Sequence, residues 1–433
     1  MMTSLPRFTA TSLSLLCLLV GCSGAATDDA STAPSGIPLL GNGSHSTSEV
    51  SIETIATQAD GLTDPRDLDF HPKTGDLWVA NGIDSTATVL VSADRRSEWL
   101  CSDQWFGAGD GCDCGCGMMD ADCNGTDVSA CDYVLCGPGQ ALDATDAGRC
   151  VMVGLEDAAT KGLSFIKRAA EDGSHTHFMA KVSGIAFNSD GNFATSQEED
   201  QITQPSTPAN FMGPTLWDGN LKEWEGGHLS HLDMLHNSPN GAGIAWEQGN
   251  VFWIYDGFHS SLTRYDFVRD HGRGGTDHTD GIIRRFVEGE VGYVPGVPSG
   301  LVWDAGRARL LIADSGNNRI AVLDPAAASS AGAIAPNYDG CQQVAFSGAT
   351  TTTLVAGEEV GLSTPSGIAI RNNQIFVTDY ATGRLFAFAI DGTLLDYLDI
   401  AEPNALMGLT FGEDGALYVI DNAKREILRI SAL

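Results

Sequence analysis

Eight of the ten histidines in this 433-residue chain fall between positions 175 and 278. Neutral imidazoles gathered in this way are ligands for Zn²⁺ or Cu²⁺. His175, His177, His236 and His259 are the leading candidates, with His231 within reach of them. Glu198 and Asp256 lie in the same stretch and could supply oxygen ligands or a general base. Histidines that cap turns and bond to backbone carbonyls give the same clustering, so both readings stay open.

A second set of residues combines carboxylates with turn formers. Asp113, Asp120, Asp122 and Asn124 are interspersed with cysteines, and hard oxygen donors suit Ca²⁺. Asp120-x-Asp122-x-Asn124-Gly125 matches the first half of an EF-hand loop, but its twelfth position is Cys131 instead of Glu. The mixture of Cys and Asp is similar to calcium modules of the Lin12–Notch type. That resemblance implies a Ca²⁺ held in a disulfide-braced loop. Asp270, Asp277 and Asp280, set among glycines, form a second calcium candidate. Solvated acidic turns held by Asx hydrogen bonds explain either set as well. The sequence has no G-x-S-x-G, and no glycine-rich run carries a P-loop lysine.

Of eleven cysteines, eight lie between positions 101 and 150: Cys101, Cys112, Cys114, Cys116, Cys123, Cys131, Cys136 and Cys150. An even number at that density, in an exported chain, predicts up to four disulfides in a small stapled module. The sequence does not choose among the pairings. A zinc site competes, because Cys112, Cys114 and Cys116 are close together, but C-x-C-x-C is not the spacing of a zinc ribbon. Cys341 is left over as a buried or loop thiol.

Export itself is read from residues 1–21. Arg7 precedes a short apolar run over 13–20, too short to span a bilayer. Leu19-Val20-Gly21-Cys22 resembles the bacterial lipobox. The resemblance implies a lipid on Cys22 and the membrane as a partner; an ordinary signal peptide cut nearby is the alternative. Ser23, where Asp is absent, points to the outer membrane by analogy with enterobacterial sorting. Residues 22–48 are mostly small and polar and read as a flexible tether. Lys and Arg number 24 against 56 Asp and Glu, a net charge of −32 that repels phosphate and argues against nucleic acid as a partner.

Positioning the candidate ligands requires a scaffold, and the rest of the chain builds one by repetition. A short apolar strand, a turn and a second strand recur six times, around positions 67, 184, 243, 300, 367 and 408. The intervals are 117, 59, 57, 67 and 41; the shortest is the bare repeat, and the longest holds the Cys-rich segment. Repeats of this size, with alternating strands and Gly turns, mark a β-propeller. Gly300-Leu301 … Ile312-Ala313-Asp314-x-x-Asn317-x-Arg319-Ile320 resembles the NHL repeat, a likeness strongest in the last three units. The expected fold is all-β: a six-bladed, NHL-like β-propeller over 49–433, with a disulfide-rich module at 101–150 inserted in the first blade region. Only 25 residues follow Gly408, enough for three strands of a four-stranded blade. Residues 50–55 can supply the missing strand, so they are predicted to pair with 427–430 and close the ring.

Strands are named a to d from the channel outward. Antiparallel alternation then puts the d–a and b–c loops on one face. His175, His177, His236 and His259 fall in such loops, which predicts a metal near the channel mouth at blades 1 to 3. The NHL resemblance also raises the peptidyl-hydroxyglycine amidating lyase, whose zinc is held by His at the start of inner strands. Those positions here are Arg66, Ser183, Ala242, Ser299, Ser366 and Met407, so that triad does not carry over. Asp314, Asp379 and Asp421 recur with the repeat and are expected to brace the b–c turn. The functional expectation is an envelope-anchored propeller that binds a ligand or protein partner at the channel mouth. Zn²⁺ or Cu²⁺, and Ca²⁺, are its candidate cofactors. The alternative is a metal-dependent hydrolase or lyase with a His-rich site formed by blades 1 to 3.

Overall fold

The computed structural model describes residues 45–95, 98–124, 128–136, 140–144, 146–153, 164–168, 179–200, 211–223 and 231–433. The expected signal peptide, its lipidation candidate Cys22 and most of the expected tether lie outside these residues. The propeller belongs to the unit that spans residues 37–433.

Six sheets, each built on four antiparallel strands, form a six-bladed propeller. The inner strands are Pro65–Phe70, Val182–Phe187, Gly241–Gln248, Leu301–Asp304, Pro365–Arg371 and Leu406–Phe411. The second strands, such as Leu77–Asn81, Val251–Asp256 and Arg309–Asp314, are buried along almost their whole length. A blade is packed on both faces by its neighbours. Its middle strands therefore read as continuous apolar runs (Leu-Trp-Val-Ala, Val-Phe-Trp-Ile-Tyr) instead of alternating ones.

The ring is closed as the sequence predicts. Val50–Ala56 pairs with Glu426–Ala432, with Ile52 opposite Ile430 and Thr54 opposite Leu428. This strand is the outer one of the blade completed by Leu406–Phe411 and Leu417–Asp421. Joining the two ends in one sheet covers an edge that would otherwise be free to pair with another chain.

Glycines let the inner strands approach one another. Ser299 N–H donates to Ala242 C=O at 2.7 Å, and Gly300 N–H to Ser366 C=O at 2.8 Å. A Cβ on Gly300 would stand 3.0 Å from Gly367 Cα, and one on Gly408 would stand 2.8 Å from Asp67 Cα. Blade 1 departs from this pattern, because Asp67 occupies the glycine position.

The recurring carboxylates brace the b–c turns. Asp314 accepts from Gly292 N–H at 2.9 Å, Tyr255 O–H at 2.9 Å and Arg319 Nε–H at 2.7 Å. Asp379 accepts from Ser363 N–H at 2.9 Å and Thr382 O–H at 2.7 Å.

Two insertions interrupt the repeat. The Cys-rich module leaves blade 1 after its third strand, Thr86–Leu90, and returns at its fourth, Ser164–Arg168. Its cross-links are Cys101–Cys116, Cys112–Cys123, Cys114–Cys131 and Cys136–Cys150. The disulfides account for the closeness of Cys112, Cys114 and Cys123, whose sulfurs are spent in bonds. Trp99, Leu100, Cys101 and Cys116 pack into the core that blades 1 and 2 share through Trp78, Phe193 and Trp217. Four disulfides fit an oxidising compartment outside the cytoplasm. Among the described residues, no helix is long and apolar enough to cross a membrane. The second insertion, a hairpin of Ser329–Ala333 and Gln342–Ser347, arises in blade 4 but docks on blade 3. Its second strand pairs in parallel with Ile282–Phe286, giving blade 3 six strands. Cys341 is free and buried in this hairpin.

Candidate functional site

Three places gather polar chemistry: the channel, its d–a mouth, and the seam between blades 2 and 3. The channel has a volume of about 340 Å³ and is lined by the later halves of the inner strands, towards the a–b turns. Phe187, Trp246, Trp303 and Phe411 contribute aromatic surface, and Asp67 and Asp69 contribute the charge. No Lys, Arg or His lines it among the described residues. Both carboxylates reach the neighbouring inner strand: Asp67 accepts from Ile185 N–H at 3.0 Å, and Asp69 from Phe187 N–H at 2.8 Å. Strand a of a propeller has a free edge facing the channel, and these bonds satisfy two of its amides. Burial raises the pKa of Asp67 to about 8, against the opposing pull of the Ile185 and Leu68 amides. Burial likewise raises that of Asp69 to about 6, opposed by the amides of Phe187 and Phe70.

At the d–a mouth, Glu198 is tied down from two sides. It forms an ion pair with Arg66, and its other oxygen accepts from Gly296 N–H at 2.6 Å. Arg66 also meets Asp64 at 3.0 Å. Glu198 thus links the end of a blade 2 strand to the inner strand of blade 1 and to the loop before blade 4. Arg66 holds the charge that a metal would otherwise meet.

The histidines separate into individual settings. His175 and His177 lie outside the described residues. His231 begins the outer strand of blade 2 and is buried. His236 is buried against Asp339, which accepts from its backbone N–H at 3.0 Å and contacts its Nδ1, and its ring stacks on Phe211. Its Nε2 is buried with no hydrogen-bond partner. His259 pairs its Nδ1 with Asp256 at 2.8 Å. Asp256 itself occupies the turn-bracing position of Asp314 and Asp379 and lies 3.7 Å from Arg285. Among the described residues, no set of three ligand atoms joins His236 to His259.

The structure instead brings together residues of two blades, of which only Asp280 is among the candidates read from the sequence. Asp233, in the outer strand of blade 2, meets the c–d loop of blade 3. That loop runs beside the strand: His271 N–H donates to Leu232 C=O at 3.1 Å, and Gly274 N–H to His231 C=O at 2.9 Å. It carries His271, His278 and Asp280 to one point. His271 Nε2 lies 3.2 Å from Asp233 Oδ2 and 3.2 Å from Asp280 Oδ1. His278 Nδ1 lies 2.6 Å from Asp233 Oδ1. Burial raises the pKa of Asp233 despite its contacts with His278 and His271. For His278 burial works against protonation, but the bond to Asp233 and the charges of Asp233, Asp339 and Asp277 outweigh it and raise its pKa. Burial and the charge of Asp339 push the Cys341 thiol up to about 11, leaving it a protonated, unreactive group.

The calcium candidates mostly accept backbone amides. Asp120 receives Gly107 N–H at 2.6 Å on one oxygen and Asp113 N–H at 3.3 Å on the other. Asp122 receives Gly109 N–H at 2.5 Å. Asp113 is buried, which together with the charges of Asp110, Asp120 and Asp122 raises its pKa. Asn124 lies at the edge of the described part of this loop. Asp270 accepts from Gly272 N–H at 3.2 Å, and Asp277 from Thr279 N–H at 3.2 Å, as Asx turns do. Asp280 leaves that group and joins His271.

Sequence reasoning missed Asp67, Asp69, Asp233, His271 and His278. A signal existed for Asp67, since alignment of the repeats shows Asp where the other inner strands have Gly. Asp233 carries no such signal, because its strand has no counterpart among the repeated motifs.

No protein-family model matches the chain, and no curated protein does. Among solved structures it is similar to a streptogramin B lyase (TM-score 0.42, 12% identity, covering 89% of this chain and 98% of that one). It is also similar to a luciferin-regenerating enzyme (TM-score 0.46, 13% identity, 89% and 96%). An auxiliary nutrient binding protein from Bacteroides ovatus is similar as well (TM-score 0.45, 11% identity, 89% and 77%). At these values the likenesses carry nothing beyond the fold, and the six-bladed ring stands on the sheet topology of this chain.

Proposed function

We propose that this chain is an NHL-like binding propeller of the cell envelope that takes a small organic cation into its channel. The observation that carries the reading is the channel lining: two half-buried carboxylates, four aromatic rings and, among the described residues, no cationic side chain. A concave, mainly apolar cavity with a few convergent polar groups is a small-molecule site. Aromatic faces attract an ammonium group, and carboxylates pair with it. The net charge of −32 draws cations towards the molecule. Calorimetric titration with putrescine, choline and tetramethylammonium tests this. Binding of one of them, weakened in Asp67→Asn, supports the reading; preference for neutral or anionic ligands contradicts it.

The anchoring part of the proposal rests on the lipobox-like residues 19–22. Labelling with a fatty-acid analogue, lost in Cys22→Ser, tests it. Calcium at the Cys-rich module is a further part, supported by Asp113 with Asp110, Asp120 and Asp122 around it. Its test is calcium titration of the wild type against Asp113→Asn.

The metal-dependent hydrolase or lyase draws support from a different place, the carboxylate and imidazole cluster at the blade 2–3 seam. A hydrolase or lyase activity that depends on His271 would favour it over the channel reading.

A further inference from the structure

We infer that Asp233, His271 and Asp280 form a mononuclear transition-metal site, of the zinc class, at the outer seam between blades 2 and 3. The site is separate from the channel and owes nothing to the ligand proposed there.

Three polar atoms converge on one point, and none of them is in a hydrogen bond: Asp233 Oδ2, His271 Nε2 and Asp280 Oδ1. Their ligand atoms all lie within 4.8 Å of one another. Asp233 has no exposed side-chain surface, while His271 is 13% and Asp280 21% exposed. A buried carboxylate oxygen outside any hydrogen bond is costly, and here two of them share one imidazole nitrogen that is itself outside any hydrogen bond. A divalent cation removes that cost. Two carboxylates and a neutral imidazole balance its charge.

The distances suit the ion. Bonds of about 2.0–2.1 Å in a tetrahedron separate the ligand atoms by about 3.3 Å. Both separations from His271 Nε2 are 3.2 Å. An imidazole nitrogen among the ligands selects zinc and its neighbours over Ca²⁺, which prefers oxygen donors in larger number. An outer shell supports the ligands. Asp233 Oδ1 is held by His278 Nδ1 at 2.6 Å and by Met234 N–H at 2.7 Å. Such partners fix the orientation of a ligating carboxylate. Three protein ligands leave a fourth position for water, as open zinc sites do. The partial exposure of His271 and Asp280 gives that position a route to solvent.

The competing arrangement is a protonated His271 bridging two carboxylates without metal. The two are separated by measuring metal on the full chain, exported, processed and purified in detergent through a tag that contains no histidine. Zn²⁺ content after dialysis, and the visible absorption of the Co²⁺-loaded protein, are read for the wild type, His271→Gln, Asp280→Asn, His278→Ala and His259→Ala. Circular dichroism checks that each variant is folded; the exposure of His271 and Asp280 makes their conservative variants the safest. The expected result is stoichiometric zinc and tetrahedral Co²⁺ bands in the wild type and His259→Ala. Both are lost in His271→Gln and Asp280→Asn, and His278→Ala weakens affinity by about 10–100-fold. Absence of zinc and cobalt binding, calcium binding alone, or metal that persists in His271→Gln and Asp280→Asn would overturn the assignment.

Discussion

His271 Nε2 lies 3.2 Å from Asp233 Oδ2, across the seam where the c–d loop of blade 3 runs beside the outer strand of blade 2. The contact joins two neighbouring blades at their rim, so the seam should respond to whatever occupies it. Excess Zn²⁺ is expected to raise the melting temperature of the wild type, because an ion that binds only the folded state stabilises it by mass action. Thermal melts with zinc and with chelator check this. His271→Gln should melt at the same temperature in both.

Protonation of the channel gives a second prediction. Asp67 has a folded pKa of about 8, raised by burial from 3.8. The folded state therefore holds a proton that the unfolded chain has released. The contribution to stability is fully present below pH 4 and is lost as pH rises towards 8. Asp67→Asn keeps an acceptor for Ile185 N–H but cannot ionise. It should match the wild type near pH 4 and exceed it at pH 8, by roughly 2 °C or more in melting temperature. Melting curves across that range decide it; a variant less stable at pH 8 would contradict the raised pKa.

Glu198 pins the d–a mouth. Removing its charge leaves Arg66 without its main partner and frees the loop at Gly296. Glu198→Gln should cost about 2–4 kcal/mol in chemical denaturation, as expected when one partner of a largely buried pair is lost. Lys181→Ala, which removes an exposed side chain paired with Glu199 at 3.0 Å, should cost less than about 1 kcal/mol.

The disulfides are not equivalent. Cys101–Cys116 fastens the module to the core shared by blades 1 and 2, because both of its cysteines are buried in that core. The double change Cys101→Ser with Cys116→Ser should cost about 3 kcal/mol, the scale of a loop of this length. Cys136–Cys150, in which Cys136 is only half-buried, lies outside that core and should matter less to the propeller. Denaturant titration of the two variants compares them.

The architecture was legible because a propeller repeats itself. Six similar units around Asp67, Gly184, Gly243, Gly300, Gly367 and Gly408 reveal the blades, and the short C-terminal unit reveals the shared sheet of Val50–Ala56 with Glu426–Ala432. The turn-bracing Asp314 and Asp379 were legible for the same reason. The seam was not. Asp233 and His271 belong to different blades, and their approach depends on a loop that pairs by backbone bonds with a foreign strand. The hairpin of Ser329–Ala333 and Gln342–Ser347 was equally hidden, since an insertion length says nothing of which blade it docks on. Asp339, which holds His236, comes from that hairpin region. Local spacing describes neighbours within one blade, whereas these contacts are set by packing between blades.

The most direct test of the functional account is calorimetric titration of small ammonium ions into the full chain at pH 7 and at pH 8.5, with Asp67→Asn beside the wild type. At pH 7 Asp67 is largely protonated and must release its proton to pair with a cation. The account predicts cation binding, proton release at pH 7 that fades at pH 8.5, and at least tenfold weaker affinity in Asp67→Asn. Binding with equal affinity in the variant, or no proton released at pH 7, would contradict it.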